Sequence, residues 1–229
     1  MEAHIKAIAD HALLVSFADE LSQEAHAHVI ALDVALGANL PAGVIETVPA
    51  LVNLLVSFDS METDHLTVGR HVRGCLEGLK PQQMVGGRRT VKVCYEPPFA
   101  PDLDAVASAT GLSPDAVINA HLAGDFQALM YGFAPGYAYL GGVPEQIQLP
   151  RKTTPVRDVP AGSVLIAGSQ CLISTLTMPT GWSIIGRSPT SIFTGNPDHP
   201  FLFDVGDRVT FERVDRTVFE RLSPGGNHV

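Results

Sequence analysis

The chain has 229 residues, of which 45% are hydrophobic and 17% are charged. This length gives room for two domains, and the composition is typical of a globular protein rather than a disordered one. The formal net charge of −9 argues against nucleic-acid binding, because affinity for phosphates needs clustered Lys and Arg.

No segment of the sequence is typical of secretion or of a membrane. Polar residues such as Glu2 and Lys6 precede the first apolar run, so we expect no signal peptide. No stretch approaches the ~18 apolar residues of a membrane helix. The 3 cysteines form no C-x-x-C pair and are typical of buried thiols in a reducing compartment. We therefore expect a cytoplasmic protein without membrane contact.

Hydrophobic periodicity predicts alternating strands and helices in the first part of the chain. Ser22 is a suitable N-cap for a helix whose apolar positions recur at helical spacing up to Leu36, and Gly37 is a suitable end for it. In chain order the predicted elements are a strand over 13–17, a helix over 22–36, strands over 44–48 and 53–58, a helix over 63–79 and a strand over 91–95.

The order of these elements, β-α-β-β-α-β, is the signature of a ferredoxin-like α/β sandwich. The last strand could equally open a second domain, and both assignments remain open at this point. We place the boundary at Gly86. This predicts an N-terminal ferredoxin-like domain over 1–86 and a second domain over 87–229.

The second half begins with two predicted helices and then changes character. Asp102 is a suitable cap for the first helix, and Ser113 followed by Pro114 is a strong start for the next. After His121, Gly and Pro recur every few residues and the apolar runs are short. Short strands separated by turn residues predict a closed or partly closed β-barrel. The runs cover 129–133, 163–167, 171–176, 182–185 and 209–211.

The segment GFAPGYAYLGG at 132–142 is the most unusual in the chain. Pro135 followed by Gly136 predicts a turn in which the glycine takes a positive φ. Tyr137 and Tyr139 are two residues apart and point to the same side of an extended segment. They are suited to an aromatic wall for a small ligand. The alternative is a turn packed by its own aromatic rings.

Several cations lie downstream of this segment. Arg151, Lys152 and Arg157 fall within seven residues of an acidic protein and are suited to a carboxylate or phosphate, unless they belong to a solvated loop. Arg187 is suited to anchoring a ligand carboxylate or to pairing with an internal acid. Gln170 lies at a position where a pocket rim is expected.

Several common catalytic motifs are absent from the sequence. It contains no P-loop, no dinucleotide-binding fingerprint, no H-E-x-x-H and no G-x-S-x-G elbow. His26 and His28 lie two apart on a predicted helix, so they face different directions and cannot share a metal. We therefore predict no metal site.

An ordered series of blocks resembles one known family. The blocks are GFAPGYAYL at 132–140, LPRKTTPVRDVPAGSV at 149–164, IAGSQ at 166–170 and GWSIIGRSP at 181–189. Together they are similar to the family of the 5-oxoprolinase B subunit, also called the KipI or allophanate hydrolase subunit 1 family. The segments at 11–17, 48–59 and 111–121 extend the resemblance over nearly the whole chain.

The resemblance implies an α+β protein with a cyclophilin-like β-barrel as its second domain. It implies one component of an ATP-dependent 5-oxoprolinase, inactive alone, which works with a homologous C subunit (allophanate hydrolase subunit 2 type) and allows an A subunit as a further partner. ATP, alone or with Mg²⁺, would bind in a site shared with the partner. The expected catalytic residues are His121 as a proton-transfer group, Arg151, Lys152 and Arg187; the expected substrate-binding residues are Phe133, Pro135, Gly136, Tyr137, Arg157 and Gln170.

The sequence departs from the family pattern at three places. Thr180 replaces a glycine before the tryptophan, Ser174 and Thr175 replace an aromatic segment, and Tyr137 replaces the commoner Phe. These changes put the substrate in question more than the fold. Two other functions stay open: inhibition of a sensor histidine kinase, and hydrolysis of a urea-derived amide as allophanate hydrolase subunit 1. The second normally needs an activated Ser or Cys, and no motif for one is present.

Overall fold

A computed structural model describes residues 1–81 and 86–223 of the chain. The chain divides into two compact units, Met1–Val85 and Gly86–Val229. Each unit has a hydrophobic core of its own. The protein is a mixed α/β protein, and the second unit carries the β-barrel.

The first unit is a four-stranded antiparallel sheet with two helices on one face. The sheet order is β1-β2-β4-β3. Leu13 and Val15 of β2 pair with Val56 and Leu54 of β4, so all four side chains point to the helix-covered face. The elements are β1 (His4–Ile8), β2 (Ala12–Ser16), α1 (Gln23–Ala38), β3 (Val44–Ala50), β4 (Asn53–Phe58) and α2 (His65–Leu76).

The helix α1 begins where the sequence predicts and ends later. The Ser22 hydroxyl accepts a hydrogen bond of 3.1 Å from the backbone N–H of Ala25, which confirms the predicted cap. The predicted stop at Gly37 is wrong, because the helix continues to Ala38 and is capped by Asn39. A glycine in a last turn costs only ~1 kcal/mol relative to alanine, so it does not force an end.

The topology of this sheet differs from the predicted ferredoxin-like order. The strand after Gly86 belongs to the second unit, so the alternative that opens a new domain with it is the observed one. The edge position beside β2 is filled instead by β1, which pairs antiparallel with β2 through a hairpin. The sequence pattern missed β1 because most of its residues are exposed and polar or small.

The second unit is built on a seven-stranded sheet in the order β12-β9-β10-β7-β6-β15-β5. None of the helices within 1–81 and 86–223 is long and apolar enough to cross a membrane. The elements are β5 (Arg88–Val93), α3 (Leu103–Thr110), α4 (Pro114–Leu122), β6 (Phe126–Tyr131), β7 (Ala138–Gly141), a 3-10 turn (Glu145–Ile147), β8 (Val156–Val159), β9 (Ser163–Ala167), β10 (Gln170–Ile173), β11 (Met178–Thr180), β12 (Ser183–Arg187), β13 (Phe193–Asn196), β14 (His199–Phe201), β15 (Arg208–Arg213) and α5 (Arg216–Leu222).

The two outermost strands of this sheet meet and nearly close it into a barrel. Cys94, just after β5, donates its backbone N–H to the carbonyl of Arg187 at 2.8 Å, and Arg187 donates to Cys94 at 2.9 Å. This single antiparallel bridge joins β5 to β12. A closed sheet leaves few unpaired edge groups, which protects it from pairing with other chains. The predicted β-barrel is therefore confirmed in this coarse form.

Strand β9 faces a core on each of its two sides. Val164 and Ile166 point into the inner core, which fills the barrel and receives residues from all seven strands. Leu165 and Ala167 point the other way, into a smaller outer cluster that contains Trp182. Because both faces are covered, all five residues of β9 are buried, and its last four residues form a continuous apolar run.

The inner core contains one histidine. His121, on α4, is 0% exposed. Its Nδ1 shares a hydrogen bond of 2.8 Å with the hydroxyl of Tyr95, and its Nε2 lies 3.6 Å from the Sγ of Cys171. Its ring packs against Phe126 and Phe211, with centroids 5.0 and 4.4 Å away. Burial lowers the pKa of His121 to about 3.

A buried carboxylate ties the start of β5 to the turn before β15. Asp207 is 2% exposed. One carboxylate oxygen accepts from the backbone N–H of Gly87 at 2.6 Å, and the other accepts from Nε of Arg89 at 2.7 Å and from the backbone N–H of Asp204 at 3.1 Å. Three donors on one buried carboxylate make it a strong local constraint.

We predict that Asp207→Ala lowers the free energy of unfolding by about 1–3 kcal/mol, because it leaves two backbone N–H groups and a half-buried guanidinium without their acceptor. Urea denaturation measures the change. Asp125→Ala is the control, because it breaks an exposed ion pair with Arg208 and changes stability little. Equal losses in the two variants would contradict the assigned role of Asp207.

We predict that His121 makes the fold less stable as the pH falls below ~6.5. The folded state holds His121 neutral down to a pKa of about 3, whereas the unfolded chain takes up the proton near 6.5. The unfolded state thus binds more protons in this window, and stability rises with pH. His121→Gln should reduce the slope of unfolding free energy against pH by up to ~1.4 kcal/mol per unit. The exposed His199, changed to Gln, should leave that slope unchanged.

Candidate functional site

A two-stranded ribbon covers the outer cluster. Strands β8 and β11 pair antiparallel, with Met178 opposite Val159. Val159 and Met178 of the ribbon pack into the outer cluster with Leu165 of the barrel sheet and with Trp182, which lies between β11 and β12. Of the predicted cations, Arg157 lies on β8 itself, Arg151 and Lys152 lie in the segment just before it, and Arg187 lies at the end of β12.

The predicted turn in the GFAPG segment is present. The backbone N–H of Tyr137 donates to the carbonyl of Ala134 at 3.0 Å, which closes a four-residue turn around Pro135 and Gly136. Gly136 has a φ of 70°, the conformation that the third position of a type II turn requires. Phe133, just before the turn, is 78% exposed. An exposed ring thus lies at the start of the turn.

Four aromatic side chains form a continuous row from this turn to the ribbon. The ring centroids of Phe133 and Tyr137 lie 5.4 Å apart, those of Tyr137 and Tyr139 5.8 Å, and those of Tyr139 and Trp182 5.7 Å. A Cβ on Gly132 would lie 2.8 Å from each tyrosine ring, so the glycine is needed for this close approach. We call these four side chains the aromatic row.

The two ends of the aromatic row differ in accessibility. Trp182 and Tyr137 are each 5% exposed, so their rings are mainly packing surface. This agrees with the alternative of a turn packed by its own aromatic rings for those two residues. Burial raises the pKa of Tyr137 to about 12, so the phenol stays protonated at neutral pH and can act as a donor. Phe133 remains open to contact.

A cation lies over the far end of the aromatic row. The guanidinium carbon of Arg151 is 5.4 Å from the centroid of the Trp182 ring, a cation–π distance. Arg151 is exposed, and no acidic side chain within 86–223 forms an ion pair with it. Its N–H groups are therefore available to an anion. The predicted residues Phe133, Pro135, Gly136 and Tyr137 therefore lie at or beside one end of the aromatic row, and Arg151 lies at the other end.

The remaining predicted cations lie in different surroundings. Lys152 is held by Asp102, with Nζ 2.5 Å from the carboxylate, so the structure does not offer its charge to a ligand. Arg187 directs Nε to the carbonyl of Ala161 at 3.3 Å, beside the barrel closure. Arg157 is exposed on the ribbon. It lines a shallow cavity of about 600 Å³ with Thr154, Pro155, Asp158 and Pro179.

Two predicted residues lie away from the aromatic row. Gln170 is half-buried at the start of β10, where its backbone pairs with Gly141 and Ala167. His121 is enclosed in the inner core on the other side of the sheet and has no surface through which to touch a ligand. Its position does not support the predicted proton transfer to a substrate, and we interpret it as a packing residue.

The structure adds residues that the sequence reasoning left out of the site. Trp182 is the partner of Arg151. The sequence contains a signal for it, because it is the only tryptophan and its segment has a glycine on each side. Asp102 was predicted only as a helix cap. No sequence signal connects it with Lys152, fifty residues later. No group of three or more His, Cys, Asp or Glu that could hold a metal occurs among the residues the structure describes.

Comparison with known proteins places the chain in a family. Residues 3–203 match the family of the carboxyltransferase domain, subdomain C and D. The chain is 35% identical over 234 residues to the 5-oxoprolinase B subunit of Bacillus subtilis (strain 168), and the match covers 97% of this chain and 98% of that protein.

Two solved structures share the fold. The crystal structure of TTHA0988 superposes with a TM-score of 0.76 at 31% identity, over 90% of this chain and 40% of that one. The Kluyveromyces lactis urea carboxylase superposes with a TM-score of 0.80 at 16% identity, over 96% of this chain and 22% of that one. The chain therefore spans less than half of either solved protein. The chain belongs to the family of carboxyltransferase subdomains C and D and is a relative of the 5-oxoprolinase B subunit.

Proposed function

We propose that the chain is the B subunit of an ATP-dependent 5-oxoprolinase complex, which converts 5-oxoproline to glutamate. The observation that carries this proposal is the 35% identity to a protein named as the B subunit of 5-oxoprolinase, because the match covers 98% of that protein. The chain would act with a homologous C subunit and with an A subunit, and would be inactive alone. We also propose a cytoplasmic location and a cyclophilin-like barrel, as the resemblance implies.

The chemistry explains why a protein without a nucleophile motif can contribute to a hydrolase. A lactam is a poor electrophile, and transfer of the γ-phosphoryl group of ATP to the lactam oxygen turns that oxygen into a leaving group. The bond between the γ-phosphorus and the terminal oxygen of ADP breaks as the lactam oxygen is phosphorylated. Water then adds to the activated carbon, the ring C–N bond opens with a proton going to the nitrogen, and the acyl phosphate that results is hydrolysed by a second water to glutamate and inorganic phosphate. Such a step needs positive charge and positioning more than a covalent nucleophile.

In this proposal the residues of the chain bind and orient the substrate. Arg151 holds an anionic group, the carboxylate of 5-oxoproline or a phosphate, against the aromatic row. The protonated hydroxyl of Tyr137 donates a hydrogen bond at the same place. Arg157, on β8, adds an exposed positive charge.

These groups amount to part of a site rather than a whole one. The sequence has no glycine-rich phosphate loop, so ATP, with any Mg²⁺ it carries, would bind mainly through the partner protein. Phe133 at the exposed end of the aromatic row, and Arg151 over its other end, are the exposed groups of this chain that a partner can complete.

No specific observation supports either of the two other functions considered from the sequence. The likeness to urea carboxylase is at 16% identity and shows the fold alone. Inhibition of a sensor kinase has no site feature in its favour. Ammonia release from allophanate, or slower kinase autophosphorylation, is the outcome that would favour one of them.

We predict that the chain, mixed with its C and A subunits, ATP and 5-oxoproline, releases ADP and glutamate in a substrate-dependent manner. Arg151→Met should lower kcat/KM for 5-oxoproline by ~10-fold or more, as expected for the loss of one charge-assisted contact. Arg208→Met is the matched control, because that arginine pairs with the exposed Asp125 away from the aromatic row. Absence of 5-oxoproline-dependent ADP release by the unmodified complex would overturn the proposal.

A further inference from the structure

Asp102 stands at the start of α3 but does not cap the helix with its side chain. It occupies the N-cap position, with φ −102° and ψ 0°, and forms no side-chain cap hydrogen bond. A carboxylate at this position ordinarily accepts from the first turn of the helix. Here the carboxylate does not bond to its own helix and accepts hydrogen bonds from two other segments.

The carboxylate of Asp102 joins two other segments. Oδ2 accepts from Nζ of Lys152 at 2.5 Å and from the backbone N–H of Ile184 at 2.7 Å. The backbone N–H of Asp102 donates in turn to the carbonyl of Ile184 at 3.0 Å. The side chains of Lys152 and Asp102 are 24% and 20% exposed, so the ion pair is screened less than one on the open surface.

Lys152 is therefore held at both ends. Its ammonium is fixed by Asp102, and its backbone N–H donates to the carbonyl of Gly181 at 2.6 Å. Gly181 has no side chain to separate the two segments: a Cβ there would lie 3.4 Å from the carbonyl oxygen of Lys152 and 3.9 Å from Cβ of Arg151. Arg151 and Trp182 are the neighbours of these two fixed residues, so they are brought together.

The contact between Arg151 and Trp182 needs this support. A cation–π contact at an exposed site favours the bound arrangement by only about two- to five-fold. A long arginine side chain loses much rotational freedom when it is held in one place. The cation–π contact by itself therefore leaves Arg151 mobile, and the fixed backbone of Lys152 supplies the missing constraint.

We propose that Asp102 is a positioning residue, which holds Lys152 and thereby keeps Arg151 over Trp182 at the end of the aromatic row. The placement of Arg151 follows from the contacts alone. Its consequence for substrate binding rests on the proposed function. Lys152 serves the site through its neighbour and does not touch the ligand.

The only tryptophan of the chain gives a direct test. Trp182 fluorescence reports how well Arg151 covers the ring, and acrylamide, a neutral quencher, measures that cover. Arg151→Met sets the value for an uncovered ring. Asp102→Asn keeps an acceptor for the N–H of Ile184 but removes the charge that holds Lys152. Lys152→Met breaks the same link without altering α3, and circular dichroism verifies that each variant is folded.

We expect the quenching constant of Trp182 to rise about two-fold in Arg151→Met, in line with the strength of the contact, and to rise similarly in the Asp102 and Lys152 variants. Asp125→Asn, which removes an exposed acid paired with Arg208, should match the unmodified protein. If Arg151→Met raises quenching while folded Asp102→Asn and Lys152→Met do not, the positioning role is wrong. If Arg151→Met itself leaves quenching unchanged, Arg151 does not cover the ring and the inference also fails.

Kinetics of the reconstituted complex separate this inference from the proposed function. When the positioning role of Asp102 and the proposed function both hold, Asp102→Asn raises KM for 5-oxoproline several-fold. The kcat changes little, because the variant weakens substrate binding. A changed quenching constant with an unchanged KM supports the positioning of Arg151 and overturns its role in binding this substrate. A KM effect without a quenching effect overturns the positioning.

Discussion

The architecture of the second unit depends on the burial of β9 and β10 on both faces. One face of these strands fills the barrel, while the other must be covered or it would expose Leu165 and Leu172 to water. The ribbon of β8 and β11, together with the turn around Gly136, provides that cover. The candidate site exists because this cover carries exposed polar groups on its outer side.

The cations near this covered face of the barrel sheet lie in different surroundings. Three of these cations contact different neighbours: Lys152 a carboxylate, Arg187 a carbonyl at the barrel closure, and Arg151 an aromatic ring. The carboxylate neutralises the charge of Lys152, whereas the ring leaves the charge of the exposed Arg151 uncompensated. An uncompensated guanidinium beside a phenol is suited to an anionic ligand.

The sequence predicted features that depend on near neighbours and missed those that depend on distant ones. The Ser22 cap and the Pro135–Gly136 turn are set within four residues, and both are present. The destination of the strand after Gly86 depends on β15, more than a hundred residues away, so the pattern left it open. His121 had the composition of a catalytic group, but only the three-dimensional core shows that it is enclosed. The use of Asp102 by Lys152 likewise has no local signal.

The length of the relatives bears on how the site is to be understood. The chain covers 98% of the Bacillus subtilis protein but only 40% of TTHA0988, so the same fold occurs both as a separate chain and as part of a longer one. The aromatic row, which is buried at Trp182 and exposed at Phe133, is compatible with both of these arrangements. The packed end gives the row a fixed position, and the open end leaves a surface that a second protein module can contact. In the proposed complex, this end of the row is therefore where the other half of the site would lie, whether or not that half is on the same chain.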